Sequence, residues 1–173
     1  MENTKTVWNI DTTHSEINFK VKHMMISTVS GSFEKFDGKV ETPNDDFKNG
    51  KFSFSAEINS VNTNNKDRDT HLKSDDFFGA EKNPQLTFKS RSFDGNKMVG
   101  DLTIKGVTQE ITLDAEYNGT AVDPYGQTKA GFEFEGSISR KDFGLSWNAV
   151  TEAGSIVVSD KVKMIASLQF IKQ

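Results

Sequence analysis

The sequence predicts an all-β protein, an antiparallel up-and-down barrel of about eight strands with one or two short helices in the 64–80 connection. Three observations carry that prediction. Apolar and polar residues alternate with period two through most of the chain, the signature of strands with one buried face. Hairpin dipeptides punctuate the alternation. Only 34% of the residues are apolar, below the roughly 45–50%, Gly included, of an average globular chain. Strands that bury one face need fewer apolar residues than strands that bury both.

The first clear strand is His14–Met24. Successive side chains on a strand point to opposite faces. Ser15, Ile17, Phe19, Val21 and His23 therefore share one face, and His14, Glu16, Asn18, Lys20 and Lys22 the other. Parity sends the two histidines opposite ways: His14 outward with the charges, His23 inward with the apolar row. A shorter strand is expected at Phe33–Glu41. Next, Phe52, Phe54, Ala56 and Ile58 form an inner row, and a short strand follows at Leu86–Phe93. Four more inner rows are Met98 to Ile104, Ile111 to Tyr117, Phe132 to Ile138 and Val162 to Phe170.

The joints are expected at Asn49-Gly50, Asp94-Gly95 and Asn118-Gly119, dipeptides that suit the two positive φ angles of a type I′ turn. Asp123-Pro124-Tyr125-Gly126 reads as a type I or II turn, and Gly106 as a tight corner. One segment, Asn64 to Ala80, does not alternate. Asn64 or Asn65 is placed to N-cap a short helix with Asp67 and Asp69 in its first turn. Leu72, Phe77 and Phe78 must pack somewhere. Consecutive hairpins make a meander whose strands, with one apolar face each, must close on themselves or form a sandwich; a closed barrel has no free edges. An eight-stranded barrel is wide enough for one small ligand.

The 173 residues suit one domain, 1–173. A net charge of −4 without long single-sign runs argues against a nucleic-acid partner and offers no polybasic membrane patch. With no cysteine, disulfides and thiolate chemistry are excluded. No apolar run approaches the ~20 residues of a membrane span, so no stable membrane anchor is expected. The polar N-terminus lacks an apolar core of a secretory leader. The chain as written is expected to be cytoplasmic, or periplasmic if it is a processed or trimmed form.

The inner rows, including Ile17, Phe19, Val21, Phe52, Phe54, Ile58, Leu102, Ile104, Leu113, Phe132, Phe134, Met164 and Leu168, either fill a solid core or line a pore. Small inner residues (Ala56, Gly100, Ala115, Gly136) would leave room for a ligand. Zinc needs three or four ligands, and the three histidines do not supply them, so no metal is expected. Nucleophilic catalysis needs a base beside the nucleophile. His14-Ser15 fails this because strand neighbours face apart. His23 has two readings: a histidine hydrogen-bonded to a backbone carbonyl, or a contact for a ligand head group. Arg140 and Asp142 form a structural ion pair, or Arg140 meets a ligand phosphate at the pore mouth. Arg68, Asp69 and Lys73 read as a solvated helix face.

Several stretches in order resemble the YceI-like family of lipocalin-like bacterial barrels. They are Trp8-Asn9-Ile10-Asp11 with His14-Ser15, His23-Met24 with Val29, Gly31 and Phe33, Asp69 to Ser74 and Asp76-Phe77-Phe78. Pro84, Thr87-Phe88, Gly100 to Thr108 and Arg140 to Gly144 complete the set. The resemblance runs from Trp8 to about Phe170. It implies a lipocalin-like barrel whose pore holds an isoprenoid lipid, an isoprenoid quinone or a polyprenyl phosphate, with its head near the open end. On that reading Leu72, Phe77, Phe78, Phe88 and Trp147 join the inner row as ligand contacts, and His23, Arg140 and Asp142 are head-group candidates. The expected function is non-catalytic binding, sequestration or transport of the lipid, with no other cofactor and with a homodimer left open. One alternative is an enzyme acting on a hydrophobic substrate inside the barrel with His23 as acid or base. Another is a structural or stress-protective protein with a filled interior.

Overall fold

The computed structural model describes residues 5–24, 26–145 and 158–173. Its strands are β1 (Lys5–Ile10), β2 (Glu16–His23), β3 (Ser27–Phe33), β4 (Phe36–Pro43), β5 (Lys51–Glu57) and β6 (Val61–Asn62), followed by helix α1 (Lys66–Lys73). Then come β7 (Gln85–Phe93), β8 (Lys97–Ile104), β9 (Val107–Val122), β10 (Thr128–Ser139) and β11 (Val158–Lys172).

Three pairs of these segments are single staves interrupted by a kink. β1 and β2 both run along β11, β4 and β3 run along β1 and β2, and β5 and β6 run along β4 and β3. Eight staves therefore follow one another round a ring, each antiparallel to the next. The ring closes where Trp8, Asn9 and Ile10 of β1 face Lys172, Ile171 and Phe170 of β11. This is the eight-stranded antiparallel barrel that the alternation predicts.

The kinks and turns depart from the sequence expectations in four places. His14 does not sit on the strand; it ends a 3-10 turn, Thr12–His14, that Asp11 caps by accepting the Thr13 N–H. The strand expected at Phe33–Glu41 is the junction of β3 and β4, so it starts earlier and is broken at Glu34 and Lys35. Asn49-Gly50 is not a type I′ turn. A wider loop carries Asn44 and Asp45 at positive φ and a 3-10 turn, Phe47–Asn49, while Gly50 keeps φ −76°. Asn118-Gly119 lies inside β9. Gly131 faces Gly119 and Phe132 faces Tyr117, which leaves Asn118 as the extra residue of a β-bulge. The hairpin turn comes later, at Asp123, whose N–H donates to the Gln127 carbonyl. Lys105 and Gly106, with φ of 53° and 76° between the paired Ile104 and Val107, form the tight two-residue corner.

The bore has two halves. At the end bearing the β7–β8 and β9–β10 turns it is plugged with aromatic rings around Phe132. Phe134 stacks on Phe132 at 5.9 Å and 7°, and Phe47, Phe52 and Phe170 meet it edge-on at 5.0, 5.5 and 5.9 Å. Phe47 reaches this plug because its 3-10 turn folds inward, where it also meets Trp8 at 5.1 Å. Aromatic pairs at such separations add about 0.5–1.5 kcal/mol each beyond their burial. At the other end the bore stays open beneath α1.

Outside the barrel, Asp11 ties the first kink to the wall. Its carboxylate, 11% exposed, accepts from Lys129 Nζ and faces His14 Nδ1, each at 2.8 Å. Burial alone would oppose ionisation. The bonds from Lys129, His14 and the Thr13 N–H outweigh it and bring the pKa from 3.8 to about 2. The native state thus holds this carboxylate ionised where the unfolded chain has already taken up a proton. The stabilisation is complete above about pH 4 and is lost as pH falls toward 2. Asp11→Asn should therefore cost about 1–2 kcal/mol at pH 7, allowing for solvent screening. Denaturant unfolding should show the gap between wild type and variant closing between pH 4 and 2.

Candidate functional site

The open half of the bore encloses a cavity of about 590 Å³. Its floor is the upper face of the aromatic plug (Phe52, Met98, Phe134, Leu168, Phe170), and its wall is the inner rows. On β11 the lining runs from Val158 to Phe170, roughly 40 Å of extended chain at ~3.3 Å per residue. Ile17, Phe19, Val21, Phe54, Phe88, Leu102, Ile104, Leu113 and Met164 line it, as do Leu72, Phe77 and Phe78 from the helical connection. Two expected pore residues do not. Ile58 begins a 3-10 turn after β5 and is buried in the packed wall. Phe132 lies inside the plug, below the floor. Both point inward, as parity requires, at levels where side chains meet side chains. Trp147 lies outside the described residues.

The small inner residues have a different role from the one expected. A Cβ on Gly100 would lie 2.4 Å from Phe88 Cζ and 2.6 Å from the Lys89 carbonyl oxygen; one on Gly136 would lie 2.6 Å from Leu113 Cδ2. Gly31, facing Phe19 across β2 and β3, is covered the same way, at 2.3 Å. These glycines do not leave space for a ligand. They let a neighbouring side chain lie flat on the wall, which keeps the bore clear.

Helix α1 forms one side of the mouth. Asn65 caps it by accepting the Arg68 N–H. Arg68 and Asp69 are not a merely solvated face. Asp69 Oδ1 accepts from the N–H and the hydroxyl of buried Thr63 (2.9 and 2.5 Å). Arg68 donates from Nε to Thr63 Oγ1 and from Nη2 to its carbonyl (2.7 and 2.6 Å). The helix is thereby clamped to the end of β6. His71 Nε2 lies 2.9 Å from Asp76 Oδ2, and Lys105 Nζ donates to the Asp75 carbonyl at 2.6 Å, so the segment after the helix is held as well.

Arg140 opens a 3-10 turn, Arg140–Phe143, and is 6% exposed. Among the described residues it donates to three backbone carbonyls: Nε to Ser159 and Nη1 to Leu145, both at 2.9 Å, and Nη2 to Val158 at 3.2 Å. Burial lowers its pKa and Asp160 opposes the shift. Asp142 is exposed and off the cavity lining; its part is a backbone carbonyl that accepts from Gln109. The carboxylate that Arg140 feels is Asp160, not Asp142. His23, half-buried, lines the rim where β2 meets Val158 of β11. Its carbonyl accepts the Ile26 N–H, but its ring has no hydrogen-bond partner among the described residues.

Sequence reasoning missed Thr63, Asn65, Asp67, Arg68 and His71 as mouth residues. They lie in a segment with no period, so nothing local says which side faces the bore. Val29 was missed because β3 was not expected to start at Ser27.

The model of the YceI-like domain matches residues 8–170. The chain belongs to the YceI-like family. A UPF0312 protein of Staphylococcus epidermidis is 42% identical over 166 residues, covering 95% of this chain and 97% of the relative. One from Staphylococcus aureus N315 is equally similar over the same span. Among solved structures, the YceI protein of Campylobacter jejuni has a TM-score of 0.74 at 34% identity, over 88% of this chain and 90% of that one. Burkholderia cenocepacia BcnA (TM-score 0.78, 23% identity, 92% and 98% covered) shares the fold. So does a polyisoprenoid binding domain from Saccharophagus degradans (0.71, 18%, 96% and 98%). In this YceI-like chain one barrel holds both the aromatic plug and the open cavity.

Two outcomes test the site geometry. Gly100→Ala meets backbone that cannot yield and should cost about 1–3 kcal/mol of stability, read from denaturant unfolding. Gly31→Ala meets only the Phe19 ring, which can swing into the cavity. It should cost less stability but displace an apolar fluorescent probe from the bore. Separately, Arg140→Met strands three carbonyls and should lower stability by about 3 kcal/mol or more.

Proposed function

We propose that this protein holds one isoprenoid lipid in its barrel cavity, without covalent chemistry, with the polar head at the rim beside His23. The observation that carries this reading is the 590 Å³ apolar cavity, closed below by the aromatic plug and open at the helix end. Its size falls in the roughly 300–1,000 Å³ range of sites for one small ligand. A barrel that served only as a filled scaffold would continue the plug through both halves. The family relationship and the polyisoprenoid binding domain of Saccharophagus degradans, which shares the fold, support an isoprenoid tail in particular. Burying about ten methylenes at ~0.8 kcal/mol each is worth about 8 kcal/mol, enough for micromolar binding before ordering costs.

The mouth favours a neutral head group, such as a quinone, over a phosphate. Arg68 is committed to Thr63, Arg140 to main-chain carbonyls, and His71 faces Asp76. Lys22 borders the mouth, and its ammonium donates to the Thr28 hydroxyl at 3.1 Å. The His23 ring carries an N–H donor and a ring-nitrogen acceptor, which suit a carbonyl or hydroxyl. For the enzyme reading, a base needs a partner and a reacting group beside it, and the bore below the rim is lined by hydrocarbon and aromatic side chains.

Organic extraction of the purified protein followed by mass spectrometry should release an isoprenoid lipid, about one per chain. Protein that is reproducibly lipid-free, and that takes up neither isoprenoid quinone nor polyprenyl phosphate, would sink the proposal. Ala166→Trp, which puts an indole into the cavity, should fold and lose uptake. His23→Ala should weaken quinone binding about fivefold, the worth of one hydrogen bond, and leave polyprenyl phosphate binding unchanged.

A further inference from the structure

A lipid-filled barrel must meet the bilayer that holds its ligand, and the rim shows one place suited to that meeting. The β2–β3 turn projects from the open end. The Ile26 N–H donates to the His23 carbonyl, and Met24 takes φ 52°, which closes the turn. Two apolar side chains of the turn face out: Ile26 is 83% exposed and Met24 39%. Scattered exposed apolar residues are ordinary, so position and charge decide. His23 and Val29, on the two strands that carry the turn, line the cavity. The tip is thus continuous with the bore.

The charge is one-sided. From Ile17 to Phe33 the sequence contains no acidic residue, while Lys20 and Lys22 stand on the outer face of β2. Across the seam, Lys163 faces Lys20 in register. Of the acids on the neighbouring strands, Glu135 pairs with Lys163, and Asp160 accepts from Ser139 and the Lys141 N–H; Asp67 lies exposed at the cavity mouth, on helix α1 and not on the turn. The β9–β10 turn provides the contrast. It also exposes apolar residues, Val122 and Tyr125, but it lies at the plugged end and carries Asp123.

We propose that the β2–β3 turn is a membrane-docking tip: Met24 and Ile26 enter the headgroup layer of an anionic bilayer while Lys20 and Lys22 meet its phosphates, which sets the cavity mouth against the membrane. The purpose of docking rests on the isoprenoid reading above. Apolar insertion and electrostatic attraction reinforce each other at such interfaces. Neither is strong alone, so contact is reversible, as ligand exchange requires.

Cosedimentation with phosphatidylcholine vesicles, with and without phosphatidylglycerol, tests the proposal. The full chain should partition to the anionic vesicles and lose that partitioning in high salt. Met24→Asn/Ile26→Ser, which keeps a residue tolerant of positive φ in the turn, should bind about tenfold less. Lys20→Gln and Lys22→Gln should each cost about fivefold on anionic vesicles. Val122→Ser/Tyr125→Ser should bind like wild type. Equal binding by wild type and the Met24/Ile26 variant, or no preference for anionic vesicles, would overturn it. Uptake of detergent-solubilised isoprenoid quinone and polyprenyl phosphate, measured in parallel, separates the two ideas. Quinone uptake without tip-dependent vesicle binding refutes docking and leaves the cavity reading intact. Tip-dependent vesicle binding without uptake of either lipid supports docking and refutes the cavity reading.

Discussion

The backbone seam between β1 and β11 is the constraint on which the rest depends. An inner face of Phe, Leu and Ile has no second layer to pack against here; only closure of the sheet on itself covers it. One long stave must therefore follow β11 over nearly its full length, first as β1 and then as β2. The kink between the two is held from both sides. Gln169 of β11 gives its carbonyl to the Asp11 N–H at 2.7 Å and its own N–H to Ser15 Oγ at 2.9 Å. The Asp11–Lys129 pair fastens the same corner to β10.

Closure fixes the bore, and the side chains then decide how it is used. Eight staves give an interior that residues of ordinary size can just fill. In the lower half, rings from five elements converge on Phe132 and fill it. In the upper half, rings lie on glycine instead of pointing across, as Phe88 does on Gly100 and Phe19 on Gly31. The same residue type, Phe, plugs one end and paves the other. The difference lies in what stands opposite each ring.

The polar groups at the mouth serve mostly to build it. Arg68 and Asp69 hold the helix through Thr63, and Arg140 gathers the carbonyls of Leu145, Val158 and Ser159. A guanidinium so engaged is a poor site for a second anion, because each N–H it redirects leaves a buried carbonyl unsatisfied. His23, at the rim, has a ring without a hydrogen-bond partner among the described residues and is therefore placed to meet a ligand.

The strand count, the inward or outward sense of residues such as Ile17, Leu102 and Met164, and the capped helix after Asn65 were all legible in the chain's residue order. It also carried the family resemblance. Each rests on local period or local chemistry, which a linear pattern records directly. Parity likewise separated His23 from the outward charges. Only the tertiary structure decided which inward residues meet a cavity and which meet one another. Ile58 and Phe132 share the parity of Phe54 and Phe134, but depth along the bore depends on stagger between staves, and stagger is set by pairings distant in sequence. It also decided that Asn118-Gly119 is a bulge and not a turn, because the long β10 opposite holds β9 extended past it. For Arg140 the choice between phosphate and backbone turned on carbonyls at Val158 and Ser159, brought beside it by the β10–β11 pairing.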